Sequence, residues 1–330
     1  MKLQLLIPQF NENDDVVSPM LSSIKTQQGI NLKNDIEVLI GNDGSECKLS
    51  ENLLGSFPFP IRYFHFEHTG RAGTRKQLFE LATADYVMFC DADDMFLSNI
   101  ALYSIFPFMQ EGYDAIVCDF LEEKIDEAGR TCFIQHRKDG SFVHGKTYRR
   151  QFLLDNTIVW YPGFEFHEDA TYNILAISLA KRVKFLDSPL YLWKWREGSV
   201  SRQPLFHVKT LTRIIFSNAQ LVKDFLNRGM VDKARYYACY LVYLIYYRIN
   251  EPVWFEAGNE QYRYDAEKCF QQYYKKHRDL IQGIAPDLEK HIMFKVQKKR
   301  EEVLSRQGLI VQQIPFDDWI KHIEELVYAW

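Results

Sequence analysis

Tyr86-Val87-Met88-Phe89-Cys90-Asp91-Ala92-Asp93-Asp94 decides how this 330-residue chain is read. Five apolar residues in a row make a strand buried on both faces, as in a parallel sheet with helices on either side. Three carboxylates follow at its C-terminal end, the rim where α/β sheets keep their ligands. If the backbone stays extended, Asp91 and Asp93 point to one side and Ala92 to the other, so two carboxylates face one point. Oxygen-only ligands of this kind suit Mg²⁺ or Mn²⁺, ions that usually arrive with a phosphate-bearing substrate. The plain alternative is a solvated acidic turn, and Asp94 is expected to be a helix cap.

Outward from this stretch, short β-rich runs alternate with helical patterns. Residues 3–7, 36–40, 61–66 and 115–120 read as strands, and 17–27, 74–84 and 99–109 as helices. That alternation predicts an α/β domain, Rossmann-like, with a mostly parallel central sheet. The turn Gly41-Asn42-Asp43-Gly44-Ser45 follows a strand, which puts Asp43 on the same rim as Asp91 and Asp93. Residues 121–150 read as a polar excursion with a hairpin through Asp139-Gly140, and His144 to Arg150 as the opening of a helix. From His207 onward strand signals nearly vanish. Leu211, Ile214, Ile215, Leu221 and Phe225, then 236–247, 270–274, and finally Trp319, Ile320, Ile323, Leu326, Val327 and Trp330 recur at helical spacing. The expected division is therefore 1–205 and an all-helical domain 206–330, with a hinge around 198–204.

Composition narrows the function classes. A hydrophobic share of 47% supports a substantial core, and a net charge of −4 gives no general attraction to nucleic acid. Six scattered cysteines without a C-x-x-C pair suggest reduced thiols and a cytoplasmic protein. The apolar run at the N-terminus is too short for a signal peptide, and 238–247 is too short for a membrane span, so it reads as a buried helix. Lys298-Lys299-Arg300 would be one contact point if the protein worked peripherally at the inner membrane face.

Six segments in order carry a resemblance: Ile7-Pro8-Gln9-Phe10-Asn11-Glu12, Asn42-Asp43-Gly44-Ser45, Gly70-Arg71-Ala72-Gly73-Thr74-Arg75, Asp91-Ala92-Asp93-Asp94, His144-Gly145-Lys146-Thr147-Tyr148-Arg149-Arg150 and His167-Glu168-Asp169. Together they resemble the family-2 glycosyltransferases of the GT-A fold, over roughly residues 1–202. The resemblance implies an inverting enzyme that moves a sugar from a UDP-sugar donor to a glycan, lipid-linked or protein acceptor, with Mn²⁺ or Mg²⁺ on the diphosphate. It places Pro8, Phe10 and Asp43 around the nucleoside, and Arg71 and Arg75 near the donor. Asp93 becomes the direct metal ligand, and Asp91, with Ala92 beside it, reaches the ribose or the metal. Asp169 becomes the general base and Arg196 a diphosphate contact in a mobile loop with Trp193 and Trp195.

Each role has a plainer counterpart: Asp43 as an Asx-turn residue, Phe10 as core, Arg71 as a surface arginine, Asp169 as the acidic first turn of a helix. The chain departs from relatives that place a histidine ligand in the mobile loop, so Arg196, Arg202 or His167 are the candidates to compensate. Asn42 also replaces the first acid of the commoner D-D-G-S. Two other enzymes fit less well. A sugar nucleotidyltransferase wants a basic glycine-rich loop after the first strand, and a phosphatase with an Asp nucleophile wants an acid there. The non-enzyme alternative is an inactive sugar-binding or scaffold subunit. In either case the helical half is where acceptor, partner or a second copy of the chain would be met.

Overall fold

The computed structural model describes residues 2–126, 128–164, 166–199, 206–305 and 314–326. Arg202, the stretch of the expected hinge beyond Ser199, and Val327 and Trp330 lie outside the described residues. The chain forms two compact units, residues 1–199 and 200–330.

The first unit is built on one nine-stranded sheet. In chain order its elements are β1 (Leu3–Gln9), α1 (Asp14–Lys25), β2 (Ile36–Asp43), α2 (Glu51–Leu54), β3 (Ile61–Phe66), α3 (Gly70–Leu81), β4 (Tyr86–Phe89), β5 (Met95–Phe96), α4 (Phe106–Gln110), β6 (Ala115–Ile125), β7 (Thr131–His136), β8 (Lys146–Arg149), α5 (Arg150–Asp155), α6 (Glu168–Leu179) and β9 (Val183–Trp193). The strand order is β3-β2-β1-β4-β8-β6-β9-β5, with β7 paired to β6. The first four strands are mutually parallel, as expected, and β6 pairs β9 in parallel. Antiparallel β8 joins these two parallel halves, so the sheet as a whole is mixed.

Both faces of the sheet are covered. Leu5 and Ile7 of β1 pack with Val17, Leu21 and Ile24 of α1 on one face. Leu6, Leu39, Val87 and Phe89 pack with Leu78, Trp160 and Tyr172 on the other. This is why β1, β2 and β4 read as unbroken apolar runs. Because β2 lies on one side of β1 and β4 on the other, the strand order reverses at β1/β4, and the crevice beyond their C-terminal ends is the natural ligand position.

Two expectations are corrected. The hairpin in 121–150 is the β6/β7 pair, turning at 126–130, where Asp126 accepts from the Ala128 and Arg130 N–H groups. Asp139-Gly140 instead starts a loop in which the Asp139 carboxylate accepts from Ser141 and Phe142 N–H. Residues 146–149 form β8 rather than a helix, because β4 and β6 both offer free edges to them, and α5 begins only at Arg150.

The second unit contains α7 (Phe206–Lys209), α8 (Leu211–Asn227), α9 (Val231–Ile249), α10 (Glu260–Gln282), α11 (Pro286–Ser305) and α12 (Phe316–Glu325), and no strand among its described residues. The stretch 238–247 is buried within α9, as its apolar pattern predicted. The stripe of α12 packs within the unit: Trp319 lies against Tyr246 and Phe270, and Gln271 Nε2 donates to the Ile323 and Leu326 carbonyls. No helix among the described residues is long and apolar enough to cross a membrane.

Candidate active site

The rim at the C-terminal ends of β1, β2 and β4 gathers the residues singled out from the sequence. After β4 the backbone does not stay extended. Asp94 N–H turns back to the Asp91 carbonyl at 3.4 Å, and Asp91 and Asp93 take different partners. Asp91 Oδ1 accepts from Arg75 Nη2 at 2.6 Å, whereas Asp93 Oδ2 lies 2.9 Å from Arg196 Nε. Asp94 is not a helix cap. It is fully buried, and its Oδ1 accepts from Lys194 N–H at 2.9 Å, which ties the end of β9 to the turn after β4.

Arg75 is the hub. On the buried face of α3, it donates to Asp91 with one arm and to Glu168 Oε1 with the other at 3.2 Å, and its guanidinium lies 4.8 Å from the Trp160 ring centre. Arg71, one turn earlier and half exposed, donates to the same Glu168 oxygen at 2.8 Å. A planar fork with aromatic stacking is a task for arginine rather than lysine. Through Arg75 the carboxylate turn after β4 and the acidic start of α6 become one rigid array.

Asp169 is the second residue of α6, next to buried Glu168, and its Oδ1 accepts from Ala170 N–H at 2.8 Å. Burial, followed by the charge of Glu168, pushes its carboxyl up to about 7, with Arg75 and Arg71 pulling the other way. The array thus separates its acids. Burial opposes the charge of Asp91, but Arg75, His144 and Arg71 hold it well below the usual carboxylate range. Asp93 is raised by burial and by Asp91, with Arg196 in opposition, and buried Asp94 is raised further for the same reasons. Unequal carboxyls side by side are what acid–base chemistry at neutral pH requires.

On the nucleoside side, Asp43 at the end of β2 is buried. Its Oδ1 accepts from Thr69 N–H at 2.8 Å, and its Oδ2 lies 3.0 Å from His68 Nδ1. Gly44 follows at φ +74°, and a Cβ there would stand 2.7 Å from His68 N, so the turn excludes any side chain. Asn42 shapes the same turn: its side chain accepts from Ser45 N–H and donates to the Ser45 and Cys47 carbonyls. Phe10 is not core. It is 45% exposed, with its ring 4.8 Å from that of His68 and tilted by 32°. Pro8 is buried within β1, opposite Gly41, and Ala92 is buried in the turn.

Sequence reasoning missed three side chains here. Glu168 was only a neighbour of Asp169, yet it receives both arginines. Glu12 closes the first of the resembling segments with no role assigned to it, yet it reaches Arg196. His144, just before β8, has its Nε2 3.4 Å from Asp91 Oδ2 and 3.5 Å from Asp94 Oδ2. Its ring stacks between Tyr191 and Trp193, with centroids 5.2 Å from each, and burial lowers its pKa. The Asp94 Oδ2 and His144 Nε2 atoms are buried without a hydrogen bond of good geometry. Asp91, Asp94 and His144 bring ligand atoms within 4.8 Å of one another, a set able to hold a divalent ion, and Asp93 stands outside it. The signal for His144 was its place at the head of the H-G-K segment; nothing in the spacing pointed to Asp94 as its partner.

The model of glycosyl transferase family 2 matches residues 5–167, ending just before Glu168-Asp169. An uncharacterized glycosyltransferase of Escherichia coli K12, YibD, is 26% identical over 294 residues, 78% of this chain and 77% of that protein. Among solved structures, Staphylococcus aureus TarS 1-349 in complex with UDP-GlcNAc superposes with a TM-score of 0.65 at 16% identity, covering 94% of this chain and 93% of that one. The Pyrobaculum calidifontis mannosyltransferase PcManGT, in complex with GDP-Man and Mn²⁺, gives 0.51 at 11% identity over 98% and 84%. These structural likenesses establish the fold, a mixed sheet of GT-A type followed by a helical region.

Proposed function

We propose, for a chain that belongs to the family-2 glycosyltransferases, transfer of a sugar from a UDP-sugar to a hydroxyl of a glycan, lipid-linked or protein-linked acceptor, with inversion at the anomeric carbon. The observation that carries this reading is the Asp91–Arg75–Glu168 bridge, which sets Asp169 in a fixed relation to the carboxylate turn. An inactive binding subunit has no need of a carboxyl held near neutrality beside that array. The UDP-GlcNAc complex of TarS supports the choice of a uridine nucleotide, and Phe10 beside Asp43 and His68 suits stacking on a base.

Asp169 takes the proton of the acceptor hydroxyl as that oxygen bonds to the anomeric carbon, and the bond from that carbon to the diphosphate oxygen breaks on the opposite face. Because Asp169 ionises near neutrality, it is both available as a base and strong enough to accept the proton. Arg196 on Asp93 and Arg71 on Glu168 are the cations we assign to offset charge on the departing UDP. The residues present fit a divalent cation: the donor set is rich in carboxylate oxygens, Asp94 Oδ2 and His144 Nε2 face each other at 3.5 Å without a hydrogen bond of good geometry, and Arg196 stands on Asp93 as a cation already. Asp93, turned outward, would hold Mn²⁺ or Mg²⁺ directly, and Asp91, tied to Arg75, would reach the ribose or the metal through water; the ion when bound neutralises the diphosphate.

We take residues 1–205 as the catalytic domain and assign 206–330 to acceptor, partner or self-association contacts, with action in the cytoplasm or at its membrane face. Calorimetric titration with UDP, GDP and dTDP, each with Mn²⁺ and with EDTA, tests the donor reading. UDP-selective, metal-dependent binding is expected; no binding by folded protein would favour the scaffold alternative.

A further inference from the structure

Arg196, just beyond β9, reaches back across 184 positions to Glu12 in the loop after β1. Its guanidinium lies between two carboxylates, with Nε 2.9 Å from Asp93 Oδ2 and Nη2 3.4 Å from Glu12 Oε1. The other Glu12 oxygen accepts from Phe10 N–H at 2.6 Å, which leaves Oε1 as the one turned to the cation. The contact is close but loosely fitted: Nε has no hydrogen bond of good geometry, and the side chain is 38% exposed. Such a pair is held by charge rather than by a fitted fork, so another cation can displace it.

We infer that Glu12 and Asp93 together form a divalent-cation site, and that Arg196 is the positive charge that keeps this site filled until metal and nucleotide arrive. Two carboxylates facing each other across a partly buried gap repel unless a cation separates them, and the guanidinium supplies that charge in the unliganded protein. On exchange, Arg196 leaves the carboxylates and becomes free to meet the diphosphate, so one residue neutralises the site before binding and the leaving group after it. No covalent bond changes. The backbone ahead of Arg196 is pinned, because Lys194 and Trp195 N–H donate to Asp94 and Glu123 at 2.9 Å each; the Arg196 side chain therefore makes the move. The inference rests on the donor reading above and adds Glu12 to its metal shell.

The test is titration of nucleotide-free full-length protein with Mn²⁺ alone, reading free ion by electron paramagnetic resonance. Wild type, Arg196→Ala, Glu12→Gln and the double variant are compared, with circular dichroism to show that each is folded. Arg196→Ala should bind Mn²⁺ roughly two- to fivefold tighter, the range spanned by an exposed ion pair, and should bind UDP more weakly once Mn²⁺ is present. Glu12→Gln should weaken Mn²⁺ binding and, in the double variant, cancel the gain from Arg196→Ala. An Arg196→Ala protein that binds Mn²⁺ no tighter than wild type, or a Glu12→Gln protein with unchanged affinity, overturns the exchange. Metal-dependent UDP binding alongside either result would leave the donor reading standing, whereas the expected Mn²⁺ pattern in the variants with no UDP binding by wild type would strike the donor reading and leave the cation site.

Discussion

Asp169→Asn is expected to make a protein that is inactive yet more stable, and more so at higher pH. The carboxyl titrates near 7 in the folded protein because of burial and Glu168, against about 3.9 in an unfolded chain. A carboxyl raised by folding penalises the folded state only when ionised, so the penalty is absent below about pH 4 and complete above about pH 7. Linkage puts it at about 4 kcal/mol at pH 8 and about 1.5 kcal/mol at pH 5. Asp169 is partly exposed, and halving both figures for solvent screening leaves about 2 and about 1 kcal/mol. Asparagine keeps an oxygen for Ala170 N–H, while loss of an anion in the first turn of α6 returns about 0.5 kcal/mol. The net gain at pH 8, about 1.5 kcal/mol, corresponds to a melting point about 3–6 °C higher for a unit of this size, and at pH 5, where the folded carboxyl is protonated and no anion is lost, the gain should shrink to about 1 kcal/mol, or about 2–4 °C. Transfer should fall by about 10²–10⁴-fold, the usual worth of a general base, and wild-type kcat should drop about tenfold per pH unit below 7. Thermal unfolding at both pH values, with transfer assays alongside, decides it. A variant that melts below wild type at pH 8, or by the same margin at both pH values, would refute the assignment of a raised Asp169.

Two further substitutions probe the scaffold of the site. Arg75→Leu should cost about 3–5 kcal/mol, because it strands Asp91 and Glu168 as buried charges; Arg75→Lys should cost less while still lowering kcat, since a lysine cannot hold both acids with one planar fork. Denaturant unfolding and turnover measure the two effects separately. Gly44→Ala forces a Cβ into the His68 backbone at φ +74° and should cost about 1–3 kcal/mol. Calorimetry should also show weaker UDP binding, because His68 and Thr69 hold Asp43; unchanged nucleotide affinity would remove that turn from the donor site.

How much of this was legible depends on the kind of information each signal encodes. The continuous burial of β1, β2 and β4 is written in apolar runs, so the parallel core and its rim could be read directly, and with them the neighbourhood of Asp43 and Asp91. Helical periodicity placed α8, α9, α10 and α12 for the same reason, whereas α11 carried no such reading. The hairpin was misplaced because Asp139-Gly140 is a good turn signal used here for an Asx-type loop, while the actual β6/β7 turn runs through Asp126 and Arg130. Segment β8 has only four residues, and the two edges that make it a strand come from elements about 30 and 60 positions earlier.

The site shows the same division at finer scale. Asp91 and Asp93 were read as a pair because extended backbone would aim both at one point. The turn after Cys90 instead sends Asp91 inward to Arg75 and His144 and Asp93 outward to Arg196. Alternation along a strand can say that two carboxylates share a rim; it cannot say which cation each will meet, because those cations sit on α3 and beyond β9. That choice matters chemically. The inward acid, tied to Arg75, stays ionised and fixes the position of Glu168 and Asp169, whereas the outward acid is held by a displaceable charge and remains available to a ligand. In the exchange we propose, a rigid half and an exchangeable half within one four-residue segment would let the same motif both build the site and answer its substrate.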